Sequence, residues 1–183
     1  MTFLKRRTAV AVMGAVALAS LATTAAAQTV TLRLHQFLPP QAVIPAKALV
    51  PWAQKVEADS GGRIKVQLFH AMQLGGAPPQ LFDQARDGVG DLTWTVLGYT
   101  PGRFPRSEVI ELPFFTYDGE GSSKAAWEYL TTYAPDEFKD VKVLAFHTHG
   151  LNILHNKRRA VAKAADLRGL KMRGPTRVST QIL

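Results

Sequence analysis

The sequence predicts an α/β fold, and three observations carry that prediction. Short runs with the period-two alternation of half-buried strands are separated by runs with helical spacing. They follow the order strand, helix, strand, helix, strand, which is how a parallel sheet with right-handed crossovers is written along a chain. Glycine and proline fall at the joints between runs rather than inside them.

Residues 29–36 alternate as a first strand, which ends at Phe37-Leu-Pro-Pro40. Ala46, Leu49, Val50, Ala53 and Val56 then recur at helical spacing, and Gly61-Gly62 stops that helix. Residues 63–69 alternate again, with Ile64, Val66 and Leu68 on one face. A second helix fits 78–87, with proline near its start and Gly88 past its end. Residues 91–96 make a third strand, followed by a turn-rich loop to Pro105 and an extended piece into Leu112-Pro113. Ser122 or Ser123 caps a helix reaching Tyr133. Alternation at 141–146, 152–156 and 170–173 predicts three further strands, and a new helix starts near Thr176. Sheets of this kind take ligands in the crevice beyond the carboxyl ends of their strands. His35-Gln36-Phe37, Gln73-Leu-Gly-Gly76 and Gly98-Tyr99 fall on that edge.

Residues 1–27 read as a secretory leader. Lys5-Arg6-Arg7 forms the charged start, 8–21 an uncharged and mostly apolar stretch, and Ala25-Ala26-Ala27 the small residues before cleavage at Gln28. A membrane anchor competes with that reading, but the apolar core is shorter than the about 20 residues that spanning requires. Those three cations are the leader's only charges, so the formal net charge of +8 becomes +5 after cleavage. This excess is spread out, which suits long-range attraction of anions. Lys157-Arg158-Arg159 is the one basic run, and it reads as a solvated turn. Without aromatic residues interleaved among the basic ones, nucleic acid is not an expected partner.

Composition narrows the chemistry further. The chain has no cysteine, which excludes disulfides, thiol nucleophiles and thiolate metal sites. It has no phosphate loop, dinucleotide fingerprint, nucleophile elbow or zinc-binding helix motif, so no cofactor is expected and an enzyme reading has little support. Glu108 and Glu111 are three apart, but in a segment read as extended they do not converge as an acid/base pair. His147 and His149 are two apart on a predicted strand, so both rings face one way, and His155 could add a third metal ligand. The alternative for these imidazoles is to line a polar cleft and donate hydrogen bonds to an acid. Phe37, Trp94 and Tyr99 fall near strand ends, where they can wall a cleft or simply pack in the core.

The segment Asp166-Leu-Arg-Gly-Leu-Lys-Met-Arg-Gly-Pro175 is the most specific. Gly174-Pro175 ends the predicted strand, which leaves Arg173 as its last side chain. A planar guanidinium fork matches a carboxylate in a bidentate way. A solvated or locally paired arginine satisfies the same spacing.

That segment resembles the one carrying the substrate-binding arginine in solute-binding proteins of tripartite ATP-independent periplasmic (TRAP) transporters. Gln73-Leu-Gly-Gly76, Asp91-Leu-Thr-Trp94, Gly98-Tyr-Thr-Pro-Gly-Arg-Phe-Pro105 and Glu111-Leu-Pro-Phe-Phe115 resemble one branch of that family in order and spacing. The resemblance implies a two-lobed fold of which residues 28–148 form a nearly complete first lobe and 149–183 only the opening of the second, the chain reading as truncated. It implies a periplasmic protein that captures an organic anion for TRAP membrane subunits, with no catalysis and no membrane insertion after leader cleavage. It also implies that Arg173 clamps the ligand carboxylate. Tyr99, His149, Asn152, Gln73, Phe37 and Trp94 are the further candidate ligand contacts, although Leu151-Asn152 stands where some relatives place a second arginine. Two rival readings are the binding protein of an ATP-driven importer and a secreted metal-dependent hydrolase built on His147, His149 and His155.

Overall fold

The computed structural model describes residues 28–182, so the predicted leader lies outside the described residues. Three parallel strands, β1 (Val30–Gln36), β2 (Ile64–Phe69) and β3 (Leu92–Trp94), form a sheet in the order β2-β1-β3. On one side of β1, Val30 faces Ile64 and His35 faces Phe69. On the other, Leu34 faces Leu92 and Gln36 faces Trp94. The third strand is shorter than predicted because it meets β1 only over that strand's last three residues. Leu34, His35 and Gln36, at the carboxyl end of the central strand, are buried in succession.

The crossover from β1 to β2 is a π-helical turn, Pro45–Leu49, running into α1 (Val50–Asp59). Pro51 has no N–H to donate, and the change of helical pitch falls next to it. Gly61 and Gly62 then take left-handed φ values of 62° and 77° and end the helix as predicted. The crossover from β2 to β3 is a short turn, Pro78–Gln80, leading into α2 (Leu81–Arg86), whose Leu81 and Phe82 are buried. β2 and β3 leave β1 on opposite sides, so the direction of winding reverses beside the carboxyl end of β1. This is where open α/β sheets form a crevice.

Phe104 joins the elements outside the sheet. Its ring stacks on Phe138 at 5.2 Å and meets Phe82 edge-on at 5.0 Å, while Leu97, Val141, Val143 and Phe146 pack around the cluster. The Arg103 guanidinium lies 4.2 Å from the Phe82 ring centre and pairs with Asp83 at 2.8 Å.

Several expectations are corrected. α3 (Gly119–Tyr133) is capped by Asp118, whose side chain accepts from Gly121 N–H at 2.6 Å. Ser122 and Ser123 lie inside the helix, where their hydroxyls accept from Tyr117 and Thr148 N–H. The piece expected to be extended before Leu112 is a 3₁₀ turn, Ser107–Glu111. Its free amides are satisfied from a distance, since the Glu137 carboxylate accepts from Arg106 N–H at 2.7 Å and from Ser107 N–H at 3.2 Å. Residues 141–146, 152–156 and 170–173 are not strands. Among the described residues no backbone ladder pairs with them, and alternation without a neighbouring strand leaves the backbone groups unpaired. Arg173 therefore ends no strand. It precedes a turn at Gly174-Pro175 that leads into α4 (Arg177–Ile182).

Candidate functional site

A polar network first fixes the carboxyl edge of the sheet. His35 is fully buried; its Nδ1 lies 2.6 Å from Gln84 Oε1, and its Nε2 accepts from Leu74 N–H at 3.2 Å. The ring therefore carries its proton on Nδ1, which donates to Gln84. Gln36, also fully buried, donates to Leu38 C=O at 2.7 Å, accepts from Leu38 N–H, and lies 2.7 Å from His70 Nδ1. Ala71 and Met72 hold left-handed φ values of 49° and 62°, their amides bonded to Leu38 and Gln36 carbonyls. Such backbone strain persists where its surroundings enforce it, often beside a binding site. The loops after β1 and β2 are thereby tied to one another.

An aromatic ladder grows from that edge. Phe37 follows β1 and stacks on Trp94 of β3 at 5.2 Å and 22°. Phe37 also meets Tyr99 at 5.3 Å. Trp94 stacks in turn on His147 at 5.8 Å and donates its indole N–H to His147 Nε2 at 2.7 Å. Desolvation against this stack, and then the charge of His149, push the His147 pKa below its ordinary 6.5. A neutral imidazole is what the indole bond needs.

The Phe37 end of the ladder opens onto a groove of about 710 Å³. Phe37 and the Gly98-Tyr99 loop line one side, and Arg173, Gly174 and residues of α4 the other. Gly98 is buried, and a Cβ there would collide with the Glu111 carboxylate and the Thr176 methyl group. This close approach brings the Tyr99 loop against the start of α4. Glu111 Oε2 is the buried side-chain oxygen without a partner among the described residues. Arg173 is exposed, and among the described residues no carboxylate pairs with it. The arrangement offers an unpaired guanidinium beside aromatic faces, which suits an anion with an apolar body.

The predicted residues separate accordingly. Arg173, Tyr99 and Phe37 share the groove, and Trp94 supports Phe37 from behind. Gln73, His149 and Asn152 lie outside its lining. The Gln73 carboxamide turns onto His70 N–H at 2.9 Å, and His149 Nδ1 lies 2.6 Å from Gly150 C=O. His147 and His149 are not on a strand, and one turns to Trp94 while the other turns to the neighbouring Gly150 carbonyl. Among the described residues no three His, Cys, Asp or Glu side chains converge as metal ligands, so the hydrolase reading has no geometric support. The 3₁₀ turn corrects the reading of Glu108 and Glu111, since side chains three apart eclipse in that geometry and both lie on one edge. Sequence reasoning placed Gly98 on the binding edge but missed Arg177 in the groove lining and Glu108, which pairs with it from outside that lining. No local signal marks that pair, since its two members are 69 residues apart.

Known proteins share this organisation. Residues 36–182 match the family described as bacterial extracellular solute-binding protein, family 7 (DctP). A solute-binding protein of Verminephrobacter eiseniae is 33% identical over 156 residues, a match covering 82% of this chain and 44% of that protein. The crystal structure of a TRAP solute-binding protein from Rhodoferax ferrireducens, in complex with copurified benzoate, is 54% identical with a TM-score of 0.79, covering 81% of this chain and 46% of that one. A marine metagenome TRAP solute-binding protein specific for aromatic acid ligands, in complex with 3-hydroxybenzoate, is 52% identical with a TM-score of 0.82, covering 85% and 48%. The chain thus spans about half the length of the relatives it matches. Among the described residues no helix is long and apolar enough to cross a membrane.

Proposed function

This chain belongs to family 7 of the bacterial extracellular solute-binding proteins, and on that premise we propose that it is the periplasmic capture component of a TRAP transporter, binding an aromatic carboxylate for delivery to membrane subunits. The observation that carries the reading is the Arg173 guanidinium, which pairs with no carboxylate among the described residues and shares one groove with Phe37 and Tyr99 at the carboxyl edge of a parallel sheet. In this reading Arg173 holds the carboxylate through two N–H donors, and the aromatic pair covers the ring. The benzoate and 3-hydroxybenzoate bound by the two similar structures support this choice of ligand class.

Binding, rather than chemistry, is the role. The groove presents a charge partner and apolar walls, and its aromatic residues are fixed by packing on the sheet edge. Residues 28–148 supply the sheet and the aromatic wall, and 149–183 bring the arginine as the opening of a second lobe. Closure of that lobe over the groove would exclude water and strengthen the arginine–carboxylate pair. An anion that binds the closed form better shifts an open–closed equilibrium, and the closed form is the one presented to the membrane subunits.

Calorimetry with benzoate on the intact protein tests the reading. Losing the partner of a buried charge typically costs on the order of 2–5 kcal/mol. Arg173→Ala is therefore expected to weaken binding by about 30-fold or more. Arg173→Lys should fall between, because the charge survives and the fork does not. Unchanged affinity in Arg173→Ala would remove the clamp.

A further inference from the structure

Two guanidiniums line the groove, Arg173 and Arg177, and they are treated differently. Arg177 is tied down, its Nη2 donating to Glu108 Oε2 at 2.6 Å across a sequence separation of 69. The other oxygen of the same carboxylate, Oε1, accepts from Gly102 N–H at 2.6 Å. The Glu108 side chain is only 15% exposed, whereas that of Arg177 is 52% exposed. One carboxylate thus spans from the turn after Tyr99 to the first residue of α4.

Both ends of this strut are built to hold. Gly102 has a φ of 79°, a left-handed value that glycine takes freely, and this turn aims its N–H at Glu108. At the other end, Gly174 packs so closely on Thr180 that a Cβ would collide with its backbone. The backbone that follows Arg173 is thereby seated against α4. Thr176 and Ser179 close the start of the helix, Thr176 N–H donating to Ser179 Oγ at 2.9 Å. The Gly102 amide first, and then Arg177, lower the pKa of Glu108 below the ordinary carboxylate range, so it is ionised at neutral pH.

We propose that Glu108 sets the anion selectivity of the groove: by neutralising Arg177 while holding Gly102, it leaves Arg173 as the guanidinium offered to a ligand and selects monocarboxylates against dicarboxylates. This rests on the carboxylate-binding reading above. A monoanion finds Arg173, the groove cation without a carboxylate partner among the described residues. The second carboxylate of a dianion finds a cation already matched, with the Glu108 charge beside it, and like charges brought together are a repulsive element of specificity. Glu108 and Arg177 are positioning residues, since neither needs to touch a monocarboxylate.

The test uses the intact protein with two probes, benzoate and isophthalate (benzene-1,3-dicarboxylate), by calorimetry. Glu108→Gln keeps an acceptor for Gly102 and releases Arg177. The isophthalate-to-benzoate affinity ratio should rise by about tenfold or more, a difference of about 1.4 kcal/mol. The double variant Glu108→Gln with Arg177→Met should return the ratio to that of wild type. A fall in both affinities with an unchanged ratio would mean a merely structural pair, and the selectivity claim would be wrong. Hydrogen exchange without ligand judges the strut separately. Residues 98–104 and 174–181 should lose protection together in Glu108→Gln, which removes the charge that ties Arg177 to the turn. Independent behaviour of the two segments would overturn the strut. If wild type binds neither acid, the carboxylate reading falls and takes the selectivity with it, while the exchange result still decides whether the two walls are coupled.

Discussion

Residues 63–69 and 152–156 carry the same alternating pattern, yet only the first forms a strand. β2 is placed by six register pairs with β1, from Val30–Ile64 to His35–Phe69. Residues 152–156 find no ladder among the described residues, and Ile153 stands 74% exposed. Period-two alternation therefore states a need for a neighbouring strand, and the neighbour decides the outcome. The intermediate case is 141–146, where Val141, Val143 and Phe146 pack against the Phe104 cluster without ladder bonds. Side-chain burial and backbone pairing are separate requirements, and this segment meets only the first.

Substitutions in the two regions should separate widely. Phe104 is 1% exposed and contacts two other rings, so Phe104→Ala is expected to cost about 3–5 kcal/mol in chemical denaturation followed by circular dichroism. A cost under about 1 kcal/mol would show that the aromatic cluster does not organise the elements outside the sheet. Asp118→Ala removes the cap of α3 and should cost about 1 kcal/mol, whereas Asp118→Asn should retain most of it. A null effect there would move the cap back toward the serines.

His147 joins the two regions and gives the comparison a pH dependence. Its folded pKa lies below the ordinary 6.5, through desolvation and then His149. The unfolded chain thus binds the proton more readily. The stability from neutral His147 is fully present above the unfolded value and is lost as the pH falls through the folded value. Melting temperatures should drift down between about pH 7 and pH 5, with an imidazole titration by NMR displaced to the acid side. His147→Gln, which can still accept from Trp94, should flatten that limb. An unshifted imidazole titration would argue against the stack on Trp94. The smallest effect belongs to Ile153→Ser, expected within about 0.5 kcal/mol of wild type because the side chain is already in solvent.

Legibility follows the range of the interaction. β1, α1, β2 and α2 were readable because alternation, helical spacing and Gly61-Gly62 are local signals. The cap of α3 was misplaced by four or five residues because Asp118, Ser122 and Ser123 are all good cap residues, and only the fold shows which hydroxyls are engaged elsewhere. The 3₁₀ turn at Ser107–Glu111 could not be read, since the carboxylate that satisfies it comes from Glu137, 30 residues away. In the groove, Phe37, Tyr99 and Arg173 were legible as residue types at chain turns, whereas Arg177 became visible only through its pairing with Glu108, which lies outside the lining.

The ladder from Phe37 to His147 has an optical consequence. Trp94 is one ring removed from the groove and donates its indole N–H to an imidazole, an arrangement whose emission responds to small changes in stacking. Trp52 and Trp127 are 38% and 42% exposed and take no part in that ladder, so they add a steady background. The protein therefore carries its own fluorophore beside the candidate pocket, and its occupancy can be followed in real time without attaching a label.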